Sequence, residues 1–138
     1  MSSFKSTKKT KSFKLPHDIE TSMLHRIVAD GYGLRGKSRW LCDTISKFLG
    51  LNDPEFIIDA VEYADELTNL DRSLSFRPTT EVDSLLDSWL IEVRKRLPAL
   101  EGVKSKIIRA AIMQELLGAM DCISELQKVE AQSILLGK

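Results

Sequence analysis

The sequence predicts a mainly α-helical fold in which two short β-strands pair into an antiparallel ribbon, with about five to six helices packed around it. Three observations predict it. The triplet Ser-Phe-basic occurs twice, as Ser12-Phe13-Lys14 and Ser75-Phe76-Arg77, each time inside a short stretch of alternating character. Each stretch is followed by two amphipathic helical patterns joined through a glycine-containing turn. An additional, acidic helical pattern separates the two copies.

The elements follow in order. Residues 1–9 are rich in Ser, Thr and Lys and are expected to form a flexible basic arm, because they carry too little apolar surface to offset the entropy of ordering. Residues 10–50 form the first unit. After the extended "TKSFKL", Pro16 stops the strand, and Ile19, Met23 and Ile27 recur at helical spacing up to about Gly31. "GYGLRG" is a tight turn, and Trp40, Leu41, Thr44, Ile45, Phe48 and Leu49 share one side of the next helix, which Gly50 is expected to close. Residues 51–71 form the acidic linker. Asp53 is placed to cap it with Pro54 at the first helical position and Glu55 in the first turn, and Phe56, Ala60, Ala64 and Leu67 form its apolar seam.

Residues 72–117 repeat the first unit. "RSLSFRP" is extended, "TEVD" from Thr80 to Asp83 reads as a capping-box-like start, and Leu85, Leu86, Trp89, Leu90 and Val93 mark the helix that Pro98 ends. Gly102 precedes "VKSKIIRAAIMQELL", and residues 118–138 form a helical tail through Ile123, Leu126 and Val129. A shift of 63 residues lays Ser12-Phe13-Lys14-Leu15 on Ser75-Phe76-Arg77-Pro78, and Ile19, Met23 and Ile27 on Val82, Leu86 and Leu90. With four extra residues assigned to the second interhelical loop, Lys37-Ser38 falls on Lys104-Ser105 and Ile45 on Ile112.

The formal net charge of zero hides a strong segregation. Residues 1–50 carry ten Lys/Arg against four Asp/Glu, residues 51–71 carry seven acids and no base, and residues 72–109 carry eight bases against five acids. Two basic blocks therefore flank an acidic one, a distribution that suits a polyanion better than the total suggests. No leader-like or membrane-spanning apolar run is present in the sequence, so a cytoplasmic location is expected. Cys42 and Cys122 are far apart within helical patterns and read as free thiols. His17 and His25 have no partners at metal-ligand spacing, and no cofactor is expected. Trp40 and Trp89 lie on apolar helix faces and read as core residues. With no glycine-rich phosphate loop, no HExxH, no CxxC and no glycine-framed serine, an enzyme is not expected.

The order of short strand, helix, glycine-containing turn and second helix opening on "VKSKIIRAAI", or more loosely "GKSRWLCDTI", resembles the ribbon-helix-helix DNA-binding family, here as a tandem of two motifs in one chain. The physics is compatible. A unit of ~45 residues cannot bury its apolar faces alone and one strand lacks a ladder partner, so two units must interlock. In a paired ribbon Phe13, Leu15, Leu74 and Phe76 would face the helices and Thr10, Ser12, Lys14, Ser73, Ser75 and Arg77 would face outward. The resemblance implies that these six residues read bases in the major groove of double-stranded DNA. It also implies that Lys37, Ser38, Lys104 and Ser105 hold phosphates at the starts of the second helices. Lys5, Lys8 and Lys9 of the arm would add phosphate contacts.

Three positions depart from the pattern. Lys11 and Pro78 stand where the strands would carry inward apolar residues, and Gly36 stands where the second unit has Val103. The role implied is a transcriptional regulator, as in bacterial and phage repressors. Alternatives are a relaxosome or partition accessory protein of a conjugative or mobile element, nucleoid- or plasmid-associated, and an antitoxin or protein-binding scaffold. The acidic helix from Phe56 to Leu67 is either a solvated face or a contact for a protein partner, and Leu126 and Val129 suggest self-association. Pairing of the strands within one chain is expected over exchange between chains.

Overall fold

The structure, a computed structural model, describes residues 10–33 and 35–117. Its order is β1 (Lys11–Leu15), α1 (His17–Ala29), α2 (Lys37–Leu51), α3 (Pro54–Asp65), β2 (Arg72–Phe76), α4 (Thr80–Arg96) and α5 (Val103–Leu116). The molecule is mainly helical, with one antiparallel two-stranded sheet formed within the chain. Strand–helix–helix therefore occurs twice, as a first unit of β1, α1 and α2 and a second of β2, α4 and α5, with α3 between them.

The register pairs Lys11 with Phe76, Ser12 with Ser75, Phe13 with Leu74, Lys14 with Ser73 and Leu15 with Arg72. Ser12 thus faces the residue that the 63-residue repeat lays on it, and an approximate two-fold axis passes between these two serines. The alternation of the pleat puts Phe13, Leu15, Leu74 and Phe76 inward, where all are buried. The Phe13 and Phe76 rings meet edge to face with centroids 6.0 Å apart.

Beneath the ribbon lies one contiguous core, centred on Met23 and Ile27 of α1, Trp40, Leu41 and Ile45 of α2, Ile57 and Val61 of α3, Leu86 and Val93 of α4, and Ile107, Ile108 and Ile112 of α5. The units cross rather than stand side by side. Ser38 at the start of α2 accepts a hydrogen bond from Arg77 N, the residue directly after the second strand (3.2 Å), and Ser105 at the start of α5 donates to Ser12 O of the first strand (3.2 Å). Each second helix therefore bonds the other unit's strand, so neither unit completes its hydrogen bonding alone.

Helix starts follow the sequence with small corrections. Asp53 caps α3 by accepting from Phe56 N, with Pro54 in the first turn. The cap of α4 is Thr79, whose hydroxyl accepts from Val82 N, so Thr80 is the first helical residue instead of the cap. Gly50 does not close α2: the helix runs to Leu51, and Asn52 ends it by donating from its side chain to Phe48 O (3.0 Å). The four residues assigned to the second loop are helical. α4 has 17 residues and α1 has 13, so the insertion is about one extra turn of α4. The tail from residue 118 onward lies outside the described residues.

Candidate nucleic-acid interface

The outer face of the ribbon is polar throughout. Thr10, Ser12, Lys14, Ser73, Ser75 and Arg77 are all exposed. Lys14 stands beside Ser73, Ser12 beside Ser75, and continuing the register one step brings Thr10 beside Arg77. The two cations therefore sit at diagonally opposite ends of the face, about 13 Å apart along the strands, with hydroxyls filling the other four positions.

The two ribbon positions that depart from the apolar pattern are accommodated. Lys11 points inward beside Phe76 but turns its ammonium to Asp83 of α4 at 3.3 Å. Pro78 is buried just after β2, where no ladder bond is required of it. At the far end, Arg72 donates to His17 Nδ1 and reaches Glu20 at 3.3 Å, while Asp71 accepts from His17 N at 3.1 Å. A carboxylate from the residue just before β2 thus caps α1, which has no cap of its own.

That leaves α2 and α5 as the helices without a side-chain cap among the described residues, and neither has an acid in its first turn. Both begin beside the ribbon, and among the described residues no side chain caps their first amides at the positive end of the helix dipole. Glycine occupies both N-cap positions for different reasons. Gly102 has φ +60°, a left-handed conformation that other residues adopt at a cost, whereas a Cβ on Gly36 would lie 2.4 Å from Tyr32 O.

The candidate phosphate ligands differ between units. Lys37 is half-buried and makes no ion pair among the described residues. Lys104 is hydrogen-bonded to Asp87 of α4, and that contact holds its pKa above the ordinary lysine value. Ser38 and Ser105 sit at the helix starts, with their hydroxyls engaged by the strands as described above. Lys8 and Lys9 lie outside the described residues.

Sequence reasoning missed one residue below the face. Arg109 of α5 is 4% exposed; its Nε donates to Lys14 O at 2.9 Å and its Nη1 to Ala64 O, near the end of α3, at 3.3 Å. Its place in the apolar run "IIRAAIM" was the available signal, since a charge within a buried face must find partners. Cys42 occupies the corresponding position of α2, with its thiol 3.9 Å from Arg77 O; burial pushes the thiol's pKa up.

Among the described residues no His, Cys, Asp or Glu cluster is placed to hold a metal ion, and no helix is long and apolar enough to cross a membrane. Compared with protein-family models, curated proteins and solved structures, the chain matches none.

Proposed function

We propose that this chain is a sequence-specific double-stranded DNA-binding protein of the tandem ribbon-helix-helix type, acting as a transcriptional regulator that reads the major groove with its β-ribbon. The observation that carries the reading is the outer ribbon face: six exposed polar side chains, two of them cationic, arranged about an approximate two-fold axis. A two-stranded ribbon fits a major groove about 12 Å wide, where Lys or Arg bonds guanine O6 and N7 and Ser or Thr bonds several bases. The ~13 Å between Lys14 and Arg77 corresponds to about four base-pair steps. The uncapped starts of α2 and α5 supply amides and lysines for phosphates on either side. Zero net charge is no obstacle, because seven of the acids lie in residues 51–71, away from the basic segments in sequence.

Selection from a random duplex library followed by salt titration tests the proposal. The expected outcome is an imperfect palindrome whose affinity falls with salt, with a log–log slope of about −0.9 per phosphate contact. No enriched motif, or affinity independent of salt, removes the DNA reading.

A further inference from the structure

A guanidinium taken out of water with no carboxylate hydrogen-bonded to it is costly unless other acceptors offset its desolvation. Arg109 is such a group. It is buried at 4% exposure, and its bonds run to two main-chain carbonyls from different parts of the chain: Lys14 O in β1 and Ala64 O near the end of α3. The carboxylate of Asp65, the next residue of α3, acts on Arg109 through space, while its ion pair is with Lys106 at 2.7 Å. The planar guanidinium donates in fixed directions, so it sets the distance between these carbonyls more firmly than a lysine ammonium would.

The position of the first carbonyl matters. It belongs to Lys14, whose side chain projects outward from the ribbon while its carbonyl is held from within. The second carbonyl belongs to the turn where α3 leaves its C-terminal end, a place that favours a cation. The equivalent carbonyl in the other half has a weaker donor, the Cys42 thiol at 3.9 Å from Arg77 O, while Arg77 N donates to Ser38 Oγ at 3.2 Å. The reading ends of the two strands are therefore fastened differently: Lys14 by Arg109, which also bonds the linker helix, and Arg77 by Ser38 and Cys42 of α2.

We infer that Arg109 is a positioning residue for base reading by Lys14, and that through it α3 is part of the DNA-reading apparatus and more than a connection between units. The inference rests on the DNA-binding reading above. It predicts that loss of the guanidinium blurs recognition in one half of the site alone, because only the Lys14 end of the ribbon loses its internal support.

The experiment uses the full chain, with Arg109→Lys as the first variant. Arg109→Gln, which keeps N–H donors without the charge, serves if the lysine variant does not fold. Binding is measured on a panel of single-base changes across both halves of the selected site. A bidentate contact is worth about 1–3 kcal/mol of discrimination, or roughly 5- to 150-fold. In the variant, discrimination at the Lys14 base pair should fall to within about twofold of none, while the Arg77 half and the salt slope keep their wild-type values. Cys42→Ala should leave both halves within about twofold of wild type.

Amide hydrogen exchange on the same proteins needs no DNA. Arg109→Lys should accelerate exchange in β1 and in the last turn of α3 while α4 keeps its protection. A folded variant with unchanged discrimination in both halves, or with equal loss in both, overturns the inference. So does unchanged exchange in β1, whatever the DNA result. A wild-type chain that selects no duplex sequence instead removes the DNA reading, and with it the base-reading role of Arg109, while exchange still decides whether this residue holds the strand.

Discussion

The two units share a strand and two helices but join their helices by different chemistry. In the first, the turn between α1 and α2 is a polar lattice. Trp40 Nε1 donates to Asp30 at 2.9 Å, Arg26 donates to the same carboxylate at 3.2 Å, and the Tyr32 hydroxyl donates to Asp43 at 2.5 Å. Arg26 and Lys47 then both reach Glu115 of α5. In the second unit a shift of 67 residues puts Leu97, Ala99, Ile107 and Ala110 where Asp30, Tyr32, Trp40 and Asp43 stand, so the same joint is apolar. Beneath the ribbon the contrast reverses, with Arg109 in the second unit and Cys42 in the first. The backbone plan tolerates either solution, provided each buried polar group has a partner. The asymmetry also gives each half its own vulnerabilities.

The largest expected effect is at Trp40. This side chain is 1% exposed and holds Asp30, so Trp40→Ala should destabilise the fold by about 3–5 kcal/mol. Its counterpart Ile107 has only apolar volume to lose, and Ile107→Ala should cost about 2–5 kcal/mol. Denaturant midpoints measure both. The difference appears in Trp40→Phe against Ile107→Val: the first leaves Asp30 without its indole donor and should cost more than the roughly 0.5–1.5 kcal/mol of the second. Equal losses would mean that the polar joint adds nothing to packing.

Next come the two cations of the ribbon. Lys14→Ala and Arg77→Ala should each cost about 1–3 kcal/mol on the preferred duplex and relax selectivity at one base pair, in opposite halves of the site. Competition binding on single-base variants checks this. If both substitutions disturb the same half, the approximate two-fold axis through Ser12 and Ser75 is not the axis of the complex.

Acid should distinguish the joints as well. The hydrogen bond from Trp40, then the neighbouring Arg26, holds the Asp30 carboxyl below its ordinary value of 3.8. A carboxyl with a lowered folded pKa stabilises the protein above its unfolded value, and the contribution disappears as pH falls through the folded value. Stability should therefore drop below about pH 4 more steeply in wild type than in Asp30→Asn. Urea midpoints at pH 7 and pH 3 measure the difference. At the alkaline end Tyr32, donating to Asp43, has its pKa pushed up to about 12, and its contribution should be lost as pH rises from its ordinary 10 towards that value.

The smallest effects belong to the helix-start lysines. Lys37→Ala should lower the salt slope by about one contact, whereas Lys104→Ala should change it less, because Asp87 already holds the Lys104 ammonium. Asp87→Ala should raise DNA affinity by roughly 0.5 kcal/mol, within the range of an exposed ion pair, and restore the Lys104 effect. Equal slopes for both lysine variants in wild-type background would show that the pair with Asp87 opens on binding at no measurable cost.

Much of the plan was legible in order of sequence. Alternation at Phe13, Leu15, Leu74 and Phe76 assigned the inner face of the ribbon, and helical spacing assigned Met23, Ile27, Trp40, Leu41, Ile45 and Leu86 to the core, because both periods follow from local backbone geometry. The cap at Asp53 was legible for the same reason: its partner, Phe56 N, is three residues away. Nearby corrections were small. Thr79 displaced Thr80 as a cap, and the extra residues became a turn of α4, because helix length is decided by what packs against the helix as well as by its propensities.

What the tertiary structure alone decided are the unions between distant residues. The register that makes Ser12 and Ser75 neighbours, the crossing of α2 and α5 onto each other's strands, and the capture of Lys104 by Asp87 join groups that no local period relates. Arg109 is the clearest case. Its residue type and its apolar surroundings were in the sequence, but its carbonyl partners lie 95 and 45 residues away. A buried cation becomes intelligible only when the chain has folded enough to bring main-chain acceptors to it, since the cost of its desolvation is offset by bonds that do not exist in any local segment.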